Sequence, residues 1–396
     1  MNLSCKKSLI FFVRHVSHLA NHVDPYFKFI SDQNLELVVL HTTSLTEKTG
    51  SECDFSGKNY KLVDVSNFSY NKINKLLSEI DPSGMIFYNF LSLFDVLMIR
   101  IAKRKNIHTL FMEHGILNEI HSVKYNVVCL RDSIKRYLKI SLKYLGFLVS
   151  DPAGIAYELK VIIDVFLKKR YEKIKCKSAI FYSEEDFLEA NKIFNYSSQR
   201  VLFSGYPIFN TKEESEILVS SKEEGYVLFI HQPVIMAKLT GLSYSEEFIF
   251  IKKHADIVKA FGYELVVQIH PRESIAIYQD GLSHCNIKVI QETGIAKVVS
   301  MCSFVIGMYS TALFYAIYLN KPIFITKYPQ FKYDYSFYFK EVGVVLDDIE
   351  DLRKELEHKL YTRKIVEYDK YKQRYLGTNN SFEERFEVIS RVLGPS

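Results

Sequence analysis

Five short polar clusters in this sequence follow directly on apolar runs and carry side chains able to do chemistry. After His108–Met112 come Glu113, His114 and Gly115. Glu113 and His114 are both candidate general bases that could take a proton from an acceptor hydroxyl. Gly115 permits a sharp turn or the close approach of an acceptor. After Glu264–Ile269 come His270, Pro271 and Arg272. The imidazole can donate to a phosphate oxygen, Pro271 fixes the chain direction, and Arg272 offers a fork-shaped donor suited to phosphate or carboxylate. Gly307 closes the run Phe304–Ile306, and Ser310 and Thr311 open a predicted helix, Thr311–Leu319. Two hydroxyls with free N–H groups at a helix N-terminus form a phosphate cradle. His231 and Gln232 begin the corresponding loop after Tyr226–Ile230, placed to meet a nucleobase or phosphate. Near the N-terminus, Arg14, His15 and His18, with His22, form a fifth cluster. Their spacing could suggest a metal, but no acidic or cysteine partner lies nearby, so acceptor contact is the better reading and no metal is assigned. Each cluster has a plainer alternative, a strand-terminal turn or an ordinary helix cap.

The elements that must position these residues alternate along the chain. Ser8–Val13, Leu35–Thr42, Tyr60–Val65, Gly84–Asn89, His108–Met112, Ala179–Ser183 and Arg200–Ser204 read as buried strands. Tyr70–Ile80, Leu93–Lys105 and Glu184–Ile193 read as helices, the last capped by Ser183. A second series follows: Tyr226–His231, helix Ser245–Phe261, Glu264–His270, Ile287–Ile290, Phe304–Gly307, Pro322–Thr326 and Gly343–Leu346. Such alternation specifies βαβ units and parallel sheets. The expected organisation is two Rossmann-like, doubly wound α/β domains facing across a cleft. The first spans residues 1–215 with a helical insertion at about 118–177, and the second spans 216–347. A charged helical tail, 348–396, crosses back to the first domain. Ligands of such folds gather at the carboxyl ends of the strands, where all five clusters fall.

Composition removes several classes. With 396 residues, 48% hydrophobic and 24% charged, the chain can build ordinary cores. A net charge of +5 is too mild for a dedicated nucleic-acid binder. Six cysteines without a CxxC pair argue against a disulfide framework or zinc site and favour a reducing, cytoplasmic location. No apolar stretch is long enough to span a membrane, and Ser8–Val13 is too short for a signal-peptide core. The absence of GxxxxGK[ST], GxGxxG, GxSxG and DxD patterns leaves ATPase, dehydrogenase and α/β-hydrolase readings without motif support.

The glutamate–histidine–glycine triplet at 113–115, the His-Pro pair at 270–271, and the Ser-Thr pair leading into ALFYAIYLNKPIF resemble bacterial glycosyltransferases of the GT-B fold. Within these, the sequence is similar to the group of polysialyltransferases, lipooligosaccharide sialyltransferases and Kdo transferases. CDP-glycerol glycerophosphotransferases of teichoic-acid synthesis share a related layout of HG, HP and Ser-Ser signals. The resemblance spans roughly residues 80–330. It implies an inverting transfer of an acidic sugar from a CMP-activated donor to a hydroxyl of a capsular or lipopolysaccharide glycan. The group's acidic-acidic-Gly motif supplies the base; here His114 replaces its middle residue, leaving Glu113 or His114 for that role. His270, Ser310 and Thr311 would hold the CMP phosphate. No cofactor is required, since the nucleotide sugar is itself the substrate. CDP-glycerol or a UDP-sugar is the alternative donor; a non-catalytic glycan-assembly protein and a nucleotide-sugar epimerase are the readings of another class.

The average charge conceals one segment. Residues 131–177 hold 12 Lys/Arg and 5 Asp/Glu, a local charge of +7, so the rest of the chain carries −2. Ile134–Val149 sets Arg136, Lys139 and Lys143 among large apolar residues. Basic amphipathic helices of this kind lie at anionic membrane surfaces. The expected partners are therefore a nucleotide-sugar donor, an oligosaccharide or polysaccharide acceptor, and the inner face of the cytoplasmic membrane.

Overall fold

The computed structural model describes residues 7–14, 16, 19–46, 59–88, 93–113, 176–194, 200–211, 214, 225–236, 240–271, 273–292, 294–308, 310–330, 339–358, 362–377 and 380–393. These form two compact units. Among the described residues, unit 1 comprises those up to Pro207 together with 382–393, and unit 2 comprises Ile208–Ser381. The basic insertion expected at 118–177 lies almost wholly outside the described residues.

Unit 1 is built on a seven-stranded parallel sheet in the order β3-β2-β1-β4-β5-β6-β7. Its strands are β1 (Ser8–Val13), β2 (Glu36–His41), β3 (Lys61–Asp64), β4 (Pro82–Phe87), β5 (His108–Met112), β6 (Ser178–Phe181) and β7 (Val201–Phe203). Unit 2 holds six parallel strands in the order β10-β9-β8-β11-β12-β13. They are β8 (Tyr226–Ile230), β9 (Glu264–Gln268), β10 (Lys288–Ile290), β11 (Phe304–Gly307), β12 (Ile323–Thr326) and β13 (Val344–Leu346). Both orders are doubly wound, reversing between β1 and β4 and between β8 and β11. The strands read as unbroken apolar runs because both faces of a parallel sheet are covered; all six residues of β1 are buried.

The helices that matter for the sites are α1 (Asp24–Asp32), α2 (Tyr70–Ile80), α3 (Leu93–Arg104), α4 (Glu184–Phe194), α5 (Tyr244–Ala260), α6 (Ile275–Leu282), α7 (Ile295–Met301), α8 (Leu313–Tyr318), α9 (Ile349–His358) and α10 (Phe382–Leu393). Ser69 caps α2 by accepting from the Lys72 amide, and Ser183 likewise caps α4 through the Asp186 amide at 3.1 Å. A capping box formed by Ser243 and Glu246 starts α5. The last helix, α10, packs on the unit 1 sheet by placing Phe386, Val388 and Ile389 in a core with Leu9, Phe11 and Tyr26. Of the charged tail, only this helix belongs to unit 1. The main chain explains the division: the Ile208 and Phe209 amides both donate to Asn380, and Phe209 pairs with Ser381, which fastens both crossing segments within unit 2.

Candidate functional site

In unit 2, register brings three of the sequence clusters to one edge. Ile230 pairs with Gln268 on one side and with Gly307 on the other, so β8, β9 and β11 end side by side. His231 and Gln232 leave β8 there, His270 and Pro271 follow β9, and Ser310 and Thr311 follow β11. This edge flanks the switch point of the sheet, where open α/β folds bind ligands.

The loop after β9 is tied down by side chains from its neighbour. Gln291 donates from Nε2 to the carbonyls of His270 and Glu273 at 3.0 and 2.9 Å. Gln268 exchanges hydrogen bonds with the main chain of Glu292, and the Glu273 amide donates back to His270 at 2.9 Å. His270 itself is half-buried and Pro271 is exposed; Arg272 lies outside the described residues. On β11, the lack of a side chain at Gly307 lets Leu313 pack against the strand end; a Cβ there would lie 3.0 Å from Leu313 Cδ2. The expected helix start at Thr311 is corrected. Helix α8 begins at Leu313 with Ala312 as its N-cap, and Ser310 Oγ accepts from the Ala312 amide at 3.1 Å in a local turn. Ser310 and Thr311 are half-buried at the strand end, preceding the helix rather than opening it.

His231 is not the open loop residue that the sequence suggests. It is 1% exposed, and its Nε2 lies 3.1 Å from Glu247 Oε1 and 2.9 Å from the Tyr278 hydroxyl. Tyr278 donates in turn to Glu247 Oε2 at 2.8 Å. Burial and the Glu247 carboxylate push the Tyr278 hydroxyl well above the usual phenol range. Gln232 is buried beside it.

In unit 1 the strands again end together: Phe12 pairs with Phe87, Phe87 with Phe111, and Met112 with Ile180. Glu113 follows Met112, is fully buried, and accepts from the Tyr182 amide through Oε2 at 3.1 Å. Burial first, and the adjoining Asp186 carboxyl second, push Glu113 well above the usual carboxylate range. Asp186, on α4, is raised mainly by burial. One oxygen of each acid, Glu113 Oε1 and Asp186 Oδ2, lacks a donor, which a single proton shared between the two carboxyls would supply. Arg385 enters from α10, 2% exposed, donating to the Glu113 carbonyl at 2.6 Å and lying 5.1 Å over the Tyr182 ring. Glu113 is therefore an enclosed interior carboxyl, held by the Tyr182 amide and beside Asp186, rather than an open one. His114 and Gly115 lie outside the described residues.

The N-terminal cluster divides similarly. Arg14 is bound to Asp95 in the first turn of α3, with Nε 3.1 Å from Oδ2, and its carbonyl accepts from Thr42 Oγ1 at 3.1 Å. His15 and His18 lie outside the described residues. Among the described residues, no group of three or more His, Cys, Asp or Glu is placed to hold a metal ion. Likewise, none of the described helices is long and apolar enough to cross a membrane.

Four residues of these networks escaped the motif reading, yet two left a signal. Buried positions of α5 run Glu247, Phe250, Ile251, His254, Ile257, Val258, so Glu247 stands on the apolar stripe. Arg385 occupies the same kind of place on α10, among Phe386, Val388 and Ile389. A charge on an apolar stripe marks a buried polar network. Asp186 and Tyr278 carry no comparable mark.

No protein-family model matches the chain, and a search of curated proteins finds no match. Solved structures do resemble it. The chain is 13% identical to the wall teichoic acid polymerase TagF solved with CDPG, with a TM-score of 0.56 over 98% of this chain and 88% of that one. It is 12% identical to WaaG, a glycosyltransferase involved in lipopolysaccharide biosynthesis, at a TM-score of 0.52 over 98% and 100%. It is 13% identical to the Methanocaldococcus jannaschii UDP-GlcNAc 2-epimerase in complex with UDP-GlcNAc and UDP, at 0.51 over 97% and 99%. At these identities the likeness concerns the fold: two Rossmann-like units, each a doubly wound parallel sheet with covering helices, and closing helices at the C-terminus, the GT-B fold.

Proposed function

We propose that the protein is a glycosyltransferase that uses a nucleotide-activated donor to build a bacterial surface glycan. The observation that carries this reading is the alignment of His231, His270, Ser310 and Thr311 along one strand edge at the unit 2 switch point. These residues, with Pro271, Arg272, Gly307 and Gln232, are assigned to the donor. His270, Arg272, Ser310 and Thr311 would stabilise the charge on the departing phosphate. Arg14, His15, His18 and Gly115 are assigned to the acceptor. In the step itself the base removes the acceptor hydroxyl proton, and the oxygen attacks the donor carbon. The carbon–oxygen bond to phosphate breaks, and the nucleotide leaves with the electron pair.

The base is His114. Glu113 is fully enclosed and its carboxylate is engaged by the Tyr182 amide, so the neighbouring imidazole is the group of the pair assigned to take the proton. The donor in the leading version is a CMP-linked acidic sugar. A second version, with CDP-glycerol or a UDP-sugar, is favoured by the same observation: with Glu113 withdrawn, the motif reduces to the His-Gly pair that the glycerophosphotransferases share. Donor screening separates them. Release of CMP from a CMP-sugar and no release from CDP-glycerol supports the first, and the reverse result overturns it. The donor is a substrate and no cofactor is assigned. The basic segment 131–177, outside the described residues save Cys176 and Lys177, is assigned to the anionic inner face of the cytoplasmic membrane.

A further inference from the structure

The main-chain ladder between β9 and β10 closes at Gln268 and Ile290, and one further bond runs from the Ile269 amide to the Ile290 carbonyl at 2.8 Å. The next donor in the parallel register is residue 271, a proline without an N–H. Two side-chain amides carry the pairing onward instead. Gln268 donates to the Glu292 carbonyl at 2.9 Å and accepts from the Glu292 amide at 3.2 Å. Gln291 reaches the other way and spends both protons of Nε2, one on the His270 carbonyl at 3.0 Å and one on the Glu273 carbonyl at 2.9 Å.

Both bonds of Gln291 fall on one short turn. The Glu273 amide donates to the His270 carbonyl at 2.9 Å, and Tyr244 on α5 donates to Glu273 Oε2 at 3.1 Å. The His270 carbonyl thus receives two donors, and the main chain from which its ring projects is held by both. Residue 291 needs its length and its two protons together. Glutamate keeps the shape and loses the donors, and asparagine is one methylene shorter. β10 is an edge strand of three residues, and none of the sequence clusters falls on it. What it adds to this end of the sheet is the brace.

We propose that Gln291 is a positioning residue for His270, with Gln268 as the counterpart that fixes the end of β10 from which Gln291 reaches. This rests on the nucleotide-donor reading above and adds to it a residue that never touches the ligand. Site groups work when held to within about 0.5 Å, and a displacement of about 1 Å loses on the order of 100-fold.

The test uses the full-length chain, with CMP, CDP and UDP as the titrated ligands and nitrogen-15 in its 12 histidines. Gln291→Glu keeps the shape without the donors, and Gln291→Met removes the donors without adding a charge. Each should weaken nucleotide binding about tenfold or more and move the His270 ring signals, while buried His254 in the same unit keeps its own. His270→Ala should lose about as much. Adding Gln291→Met to His270→Ala should lose nothing further, because a positioning residue acts through the group it positions. A merely structural role would lower the melting temperature and leave the two losses additive. Unchanged nucleotide binding in a folded Gln291 variant, or additive losses in the double variant, overturns this proposal and leaves the donor reading standing. Failure of all three nucleotides to bind the wild type overturns the donor reading, and this proposal with it. Should one Gln291 variant fail to fold, the other decides.

Discussion

Arg385 donates from Nη2 to the main-chain oxygen of Glu113 at 2.6 Å, across 272 residues of sequence. The last helix thereby places its guanidinium at the end of β5, one residue before the proposed base. The same bond ties α10 to the residue that ends β5, so one side chain serves both the helix docking and the strand end.

Removing that donor leaves the buried Glu113 carbonyl unpaired. Arg385→Met should destabilise unit 1 by about 2 kcal/mol, the usual effect of stranding a buried group whose partner was charged. Arg385→Lys should retain part of the stability. Urea unfolding followed by near-ultraviolet circular dichroism measures both, and a loss under about 1 kcal/mol for Arg385→Met would show that this bond does not hold α10 to the strand end.

The division of labour between Glu113 and His114 is separable by substitution. Glu113→Gln preserves the volume and the neutral form, so turnover should stay within a few-fold of wild type. His114→Ala should lower kcat by about 10²–10⁴-fold, the contribution of a general base. Equal losses in the two variants would return the base to Glu113.

Two buried groups give opposite pH dependences. The Glu113 carboxyl is raised, so its contribution is complete below the ordinary carboxyl range and is lost as pH climbs through the elevated value. His254 is lowered from 6.5 to about 4 by burial. Between those values the unfolded chain binds a proton that the native ring excludes, so stability falls as pH drops, by about 3 kcal/mol in full. Hydrogen exchange of the β5 and β6 amides should therefore slow toward low pH, while that of the α5 amides quickens. His254→Phe should flatten the second trend.

The basic segment predicts a salt-dependent attachment. Exchanging Lys135, Arg136, Lys139 and Lys143 for Gln removes four positive charges, each worth about 1 kcal/mol at an anionic surface. The variant should remain in the supernatant when wild type sediments with phosphatidylglycerol vesicles. Sedimentation unchanged by the four substitutions would place the charge elsewhere in the protein's work.

The sheets were legible in the sequence for a simple reason. A parallel strand buried on both faces needs an unbroken apolar run, and runs such as Ser8–Val13 and Glu264–Gln268 can serve no other element of that length. Strand ends were legible for the same reason: the first polar residue after the run, Arg14, Glu113 or His231, marks the strand end, the side on which open α/β folds hold ligands. What those polar residues touch was not. Glu113 meets Asp186 and Arg385, and His231 meets Glu247 and Tyr278, across separations that no local pattern encodes. The chain order fixed the edge on which the chemistry-bearing residues stand. Only the packing of α4 and α10 in unit 1, and of α5 and α6 in unit 2, decided which of them are enclosed, because burial and pairing are properties of neighbours in space.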